Sequence, residues 1–307
     1  GKPFVGMPGA MGAHSWQPMS FSPKAGLVYI PVNVVPQAYF ADRAWKPSAQ
    51  GYQIGLDMAA TAMPANPAIR AAAMKMMTGA LLAWNPATHK PAWSVPHVSP
   101  WNGGTLATAG NLVFQGDATG KFSAYSADKG AKLWSFPTQT GVIAAPMTYA
   151  VKGEQYVAVL AGWGGVYDLA AGIAAHKAGV TRNISRLLVF KLGAKGQLPA
   201  PPAPNQLRLD PPAFKGTAQQ VAAGAGTYAR YCSVCHGDAA VAGGLTPDLR
   251  RSPMIGTPEA LRAVAIDGAL QHNGMVSFKA ALKPDEIEAV RQYLISRANE
   301  DKALGGK

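Results

Sequence analysis

The segment Cys232-Ser233-Val234-Cys235-His236 has residue types and spacing that point directly to chemistry. Two thiols one helical turn apart can form thioether bonds to the two vinyl groups of a haem. The adjacent imidazole is then held under the iron as an axial ligand, so the motif implies a haem c. The chain of 307 residues has only 2 cysteines, and no four-cysteine zinc site or disulfide scaffold can be built from them. A redox dithiol of the thioredoxin type would need a βαβ setting, which the surrounding sequence lacks. The sixth ligand must lie downstream, where Met254, His272, Met275 and Lys279 are available. Met275 sits in Asn273-Gly274-Met275-Val276-Ser277-Phe278, where a glycine lets the backbone approach the haem closely. Met275 is therefore the expected ligand, Met254 a core residue, and His272 an exposed one. His/Met ligation raises the reduction potential and leaves the iron no open position, so such a haem carries electrons.

Helices must position these groups. Gly216 to Tyr231 reads as a helix leading into the motif. Pro284 to Ala298 reads as a second one, with Pro at its start and acids Asp285, Glu286 and Glu288 in the first turn. Its apolar residues Ile287, Val290, Tyr293 and Leu294 fall on one side. Residues 214–307 are thus expected to form an all-α cytochrome c domain of class I. Before it, residues 194–213 hold six prolines and read as an extended, semi-rigid linker.

Residues 1–193 have a different texture, with short apolar runs punctuated by Gly, Pro and Asn. Ala83 to Trp93 aligns with Ala124 to Trp134 at an offset of 41 residues, each copy reading as strand, tight turn, strand and Trp. Leu27–Ile30, Leu112–Gln115 and Tyr156–Leu160 read as buried strands. A period of ~40 residues with several short strands is typical of a propeller blade, the alternative being another all-β sandwich. Residues 41–80 interrupt the pattern with an insertion holding a short helix near Ala68–Met77, whose methionines suit packing rather than metal ligation. The length supplies three or four blades. A propeller that fails to close leaves sheet edges and apolar faces in water. Further blades are therefore expected, from the same protein or from a partner chain.

Hydrophobic residues make up 48% and charged residues 14%, which excludes a disordered chain. No apolar run approaches the ~18 residues of a membrane-spanning helix. The net charge is +12, mostly before the linker, without a basic run of five or six or a recognisable nucleic-acid motif. Solubilising charge is the simpler reading, and no nucleic-acid partner is expected. The first residues, from Gly1, carry no secretory apolar region. Either a precursor has been processed or the chain begins inside a larger protein, and the open propeller favours the second.

Propeller, proline linker and cytochrome c in that order resemble the quinohaemoprotein alcohol dehydrogenases. The resemblance rests on His14 to Pro23, Asn102 to Gly110, Gly153 to Gly165, Cys232 to Gly237 and Asn273 to Phe278. It implies an eight-bladed propeller holding pyrroloquinoline quinone (PQQ) and calcium in the complete enzyme. It places the PQQ pocket at Ser15 and Trp16, where the family has an Asn-Trp pair, and at backbone from Trp163 through Gly164 to Val166. Ser15 reaches less far than Asn, and Trp16 and Trp163 would also serve as blade packing. The family's catalytic Asp, calcium-binding acids, Trp beneath PQQ and vicinal disulfide have no counterpart here, so no catalytic residue is assigned in this chain. The resemblance further implies oxidation of a primary alcohol to an aldehyde, with electrons leaving singly through the haem. They would go to a soluble periplasmic carrier or a membrane quinone chain. The chain alone is expected not to oxidise alcohols. Two other readings are a cytochrome c electron-carrier subunit of a split dehydrogenase and a non-catalytic binding propeller tethered to a cytochrome.

Overall fold

The computed structural model describes residues 2–64, 66–179, 182–203 and 207–305. Alternating short apolar strands separated by tight turns fold into antiparallel meanders. The first blade is β2(Ser20–Ser22)-β3(Leu27–Val34)-β5(Thr78–Asn85)-β6(Lys90–His97). The second is β7(Thr105–Thr108)-β8(Leu112–Gly116)-β9(Lys121–Ser126)-β10(Lys132–Pro137), and the third has three strands, β11(Met147–Val151)-β12(Glu154–Ala161)-β13(Arg186–Lys191). A small ribbon pairs β1(Phe4–Gly6) with β4(Gln37–Tyr39). The aligned repeat corresponds to the outer hairpins β5–β6 and β9–β10. Both carry a register shift at the matching place, at Ala83/Trp84 in one and Lys132/Trp134 in the other.

The blades bury apolar faces against each other. Leu27, Tyr29, Leu81 and Ala83 of the first meet Val113, Tyr125 and Ala127 of the second. Phe122 of the second meets Val157, Val159 and Leu188 of the third. Tyr29 Oη donates to the Ala127 carbonyl at 2.8 Å, and Trp93 Nε1 donates to the same oxygen at 3.1 Å. The far face of the third blade has no such cover among the described residues. On the third blade Met147, Tyr149, Leu160, Leu187 and Val189 are exposed, Leu187 by 61%.

Between β3 and β5 the chain leaves the blade through β4, an irregular stretch, and helix α1(Pro67–Met76), where Asn66 caps the Ala68 and Ile69 amides. After β12 come a short helix α2(Val166–Ala170) and a 3-10 turn over Gly172–Ala178. The described residues of the proline-rich stretch form no helix or strand and are tied to the rest of the fold near both ends. Pro199 O accepts from Gln139, Pro212 O accepts from Asn299, and Leu209 is buried. Pro204, Asn205 and Gln206, part of the expected linker, lie outside the described residues.

The last part is helical: α3(Ala218–Tyr231), α4(Ser233–His236), α5(Pro258–Ala265) and α6(Pro284–Ala303), joined by 3-10 turns. Thr217 and Gln220 form a capping box that starts α3. α6 runs five residues past the Ala298 expected from the pattern, and Ile287, Val290, Tyr293 and Leu294 are all buried. α3 crosses α6 at Gly224, where a Cβ would lie 2.0 Å from the Ala289 carbonyl oxygen. Only a glycine permits that approach. The crossing encloses Tyr228, Cys232, Ile255, Val290 and Leu294 in one core.

Candidate functional site

The Cys-x-x-Cys-His segment starts where α3 ends. The Cys232 amide donates to Tyr228 O at 2.8 Å, and the His236 amide donates to Cys232 O at 2.9 Å. The chain then turns at Gly237, with φ of 84° and a Cβ position only 1.9 Å from the Val241 carbonyl oxygen. Tyr228 Oη clamps the turn by donating to the carbonyls of His236 at 3.0 Å and Gly237 at 2.9 Å. Cys232 is buried in the core, and burial pushes its thiol up to about 12, whereas Cys235 is exposed. The two sulfurs therefore face different surroundings: one the apolar interior, the other its rim.

His236 is buried, with Nδ1 3.0 Å from the Pro247 carbonyl. A carbonyl only accepts, so Nδ1 carries the proton and Nε2 keeps its lone pair. Burial also lowers the imidazole's basicity, which favours the neutral ring. A second shell that orients the ligand through its other nitrogen is typical of metal-binding histidines. The Pro247 loop is itself pinned, as Arg250 forms a two-point contact with Asp248, Nε to Oδ1 at 2.9 Å and a terminal nitrogen to Oδ2 at 2.6 Å.

A second apolar cluster holds Leu261, Ala265, Ile266, Phe278, Leu282 and Ile287, and Tyr231, Met254 and Met275 all pack against it. Both methionines suggested by the sequence thus line one apolar wall, while His272 and Lys279 are exposed. Met275 stands on a loop folded back on α5, its amide donating to Leu270 O at 3.3 Å and that of Phe278 to Ala265 O at 2.8 Å. A neutral imidazole, two unpaired thiols and a thioether against an apolar wall fit a covalently bound haem. Cys232, Cys235, His236 and Met275 are the residues that would hold it.

The second candidate site lies on the propeller. Trp16 is exposed and Trp163 buried. Gly164 is half-buried, and a Cβ on Gly165 would sit 3.5 Å from the Trp16 ring, so Ser15–Trp16 and the run from Trp163 through Gly164 to Val166 share one rim. Sequence reasoning missed Trp101. It stands edge-on to Trp16 with ring centroids 6.3 Å apart and stacks on Tyr167 at 5.5 Å. Its φ is +64°, unusual for a bulky residue, and Asn33 Oδ1 holds its amide at 2.9 Å. Its indole Nε1 is buried and has no hydrogen-bond partner among the described residues. The signal available in the sequence was the run Trp101-Asn102-Gly103-Gly104, turn chemistry beside an aromatic. An orphaned donor, an open tryptophan face and a glycine rim fit a planar, acceptor-rich group such as PQQ. Ser15, Trp16, Trp101 and Val166 would border it.

Asp168, on α2, was also missed. It is buried, both carboxylate oxygens lack hydrogen-bond partners among the described residues, and desolvation raises its pKa to about 7. Its carbonyl packs against Gly243, just beyond the Cys-x-x-Cys-His segment, where a Cβ would come within 1.8 Å. His176 Nε2 donates to the Ala242 carbonyl at 2.7 Å in the same seam. The propeller rim and the cytochrome-like segment are thus in direct contact through α2. Asp117 and Asp128 do structural work in turns, Asp117 accepting from the Thr119 and Lys121 amides and Asp128 from Asn111.

Propeller blades joined to a helical domain with a Cys-x-x-Cys-His turn define a quinoprotein-type propeller fused to a cytochrome c. The family described as glucose/ethanol/alcohol dehydrogenase, beta-propeller domain, matches residues 2–157, and the family described as cytochrome C oxidase, cbb3-type, subunit III matches residues 219–294. The chain belongs to the quinohaemoprotein alcohol dehydrogenase family. It is 46% identical to quinohemoprotein alcohol dehydrogenase ADH IIB of Pseudomonas putida, over 98% of this chain and 42% of that protein. It is 44% identical to the dehydrogenase subunit of alcohol dehydrogenase (quinone) of Acetobacter aceti, over 98% of this chain and 40% of that one. Among solved structures, quinohemoprotein alcohol dehydrogenase ADHIIG from Pseudomonas putida HK5 superposes with a TM-score of 0.85 at 40% identity, covering 99% of this chain and 44% of that one. The chain spans about two-fifths of the length of the curated relatives it matches.

Proposed function

We propose that this chain is the haem-bearing part of a PQQ-dependent alcohol dehydrogenase. The carrying observation is the His236 geometry: an imidazole fixed by Pro247, one residue from Cys235, on a segment whose neighbour Tyr231 packs against the same apolar wall as Met275. In this reading Cys232 and Cys235 would tether a haem c, and His236 and Met275 would supply the ligands to its iron. Residues 1–193 are propeller blades, 194–213 a linker and 214–307 a class I, all-α cytochrome c domain. Bound PQQ would accept two electrons from a primary alcohol, leaving an aldehyde, and the haem would pass them singly to an external periplasmic carrier or a membrane quinone chain. This chain's residues do the placing. Trp16, Trp101 and Val166 border the quinone, α2 brings that rim against the haem segment, and the buried core around Cys232 excludes water.

The exposed apolar row of Met147, Tyr149, Leu160, Leu187 and Val189 supports further blades completing an eight-bladed ring. We place the catalytic base and the calcium ligands in those blades and the whole protein in the bacterial periplasm. The test is to join the chain to its upstream coding sequence, load PQQ and calcium, and add a primary alcohol. Alcohol-dependent reduction of the haem is expected from the joined protein and none from this chain alone. A joined protein whose haem stays oxidised, or alcohol turnover by the chain alone, would overturn the proposal.

A further inference from the structure

Residues 46–52, within the propeller's long excursion, lie as a strap over the end of α3. Tyr231 Oη donates to Ser48 Oγ at 3.2 Å, and the Tyr52 amide donates to the Arg230 carbonyl at 3.0 Å. The strap approaches so closely that a Cβ on Gly51, where φ is +82°, would fall 2.7 Å from the Tyr231 ring. That ring meets Phe278 edge-on, with centroids 6.1 Å apart. One residue before Gly51, the Gln50 amide Nε2 donates 2.9 Å to the Ser277 carbonyl, two residues after Met275. Other ties of the Met275 loop stay on its own side: backbone bonds run to Ala265, Gly268, Leu270 and Gln271, and Ser277 Oγ donates to the Ile266 carbonyl at 2.5 Å. Gln50 therefore connects the propeller to the loop that carries the candidate sixth ligand.

We propose that this strap holds the sixth ligand in place, with Gln50 as the positioning residue that keeps the Met275 loop closed on the iron. The inference rests on Met275 being the axial ligand. Opening of the loop exposes the iron to competing ligands, and the apparent affinity of a competitor scales with the fraction of open protein. A hydrogen bond of this kind has a net worth of roughly 0.5–1.5 kcal/mol, so its loss should raise the open fraction about two- to thirteenfold.

The test uses the full chain with haem attached, in the ferric state, titrated with imidazole. Gln50→Ala should bind imidazole about two- to thirteenfold more tightly than wild type. It should also show a weaker iron–thioether charge-transfer band at any given imidazole concentration. Gln50→Glu, which has no amide donor, should behave like Gln50→Ala, while Gln50→Lys, which keeps a donor, should return toward wild type. Met275→Ala separates the two ideas, since it should abolish the charge-transfer band. If the band survives Met275→Ala, the ligand assignment fails. If Met275→Ala abolishes it while Gln50→Ala and Gln50→Glu leave imidazole affinity unchanged, the strap inference fails and the ligand assignment stands.

Discussion

Gly224→Ala tests the packing that places the haem motif. In an exposed helix interior, replacing Gly by Ala stabilises by about 0.8–1 kcal/mol. At Gly224 the new methyl would stand 2.0 Å from the Ala289 carbonyl oxygen and 2.9 Å from the Val290 amide nitrogen. Restoring an ordinary 3.4 Å contact requires α3 and α6 to separate by about 1.4 Å. The obstacle is helix backbone, which cannot rotate aside, so the cost lies toward the upper end of the ~1–3 kcal/mol typical of overpacking. After the propensity gain, a net loss of about 2 kcal/mol remains, or roughly 10 °C in Tm for a domain of this size. Gly226→Ala is the internal control, as it lies on the same helix with nothing within 4 Å of its Cβ position. It should be stabilising. Thermal unfolding followed by helical circular dichroism and haem absorption reads both variants, and equal stability of the two would refute the account of the α3–α6 crossing.

Tyr228→Phe removes the donor shared by the His236 and Gly237 carbonyls, both close to the core; a loss of about 1–3 kcal/mol in urea unfolding is expected. Asp168 has its pKa raised to about 7 by burial, so in the folded protein it keeps its proton while the unfolded chain has already lost it. Stability should therefore fall as pH rises from the ordinary carboxylate range toward 7, at up to roughly 1.4 kcal/mol per unit, and level off above. Asp168→Asn should remove that slope in urea titrations across the same range. Asn33→Ala should free the Trp101 amide and relax its left-handed backbone, seen as a shift in tryptophan fluorescence with a stability loss of about 1–2 kcal/mol.

What could be read in advance was local. The Cys-x-x-Cys-His spacing, the Pro284 helix start and the two Trp-ended hairpins are each written within a few consecutive residues. The short helix expected near Ala68–Met77 is found at Pro67–Met76, where Asn66 caps it and Pro67 opens it. Trp101, Asp168 and Gln50 were not legible, because their roles come from neighbours far away in the chain. Trp101 becomes informative only when Trp16 stands 6.3 Å from it, and Asp168 only when Gly243 closes over it. Gln50 meets Ser277 across 227 positions of sequence. The glycine beside Met275 favours it locally over Met254, while in the fold both pack against the same wall.

The account depends most on a haem carried covalently by Cys232 and Cys235. Intact-protein mass spectrometry of the chain expressed with haem-maturation machinery measures this directly. One haem per chain is predicted, absent from the Cys232→Ala, Cys235→Ala double variant. A wild-type chain of unmodified mass, purified without colour, would contradict it.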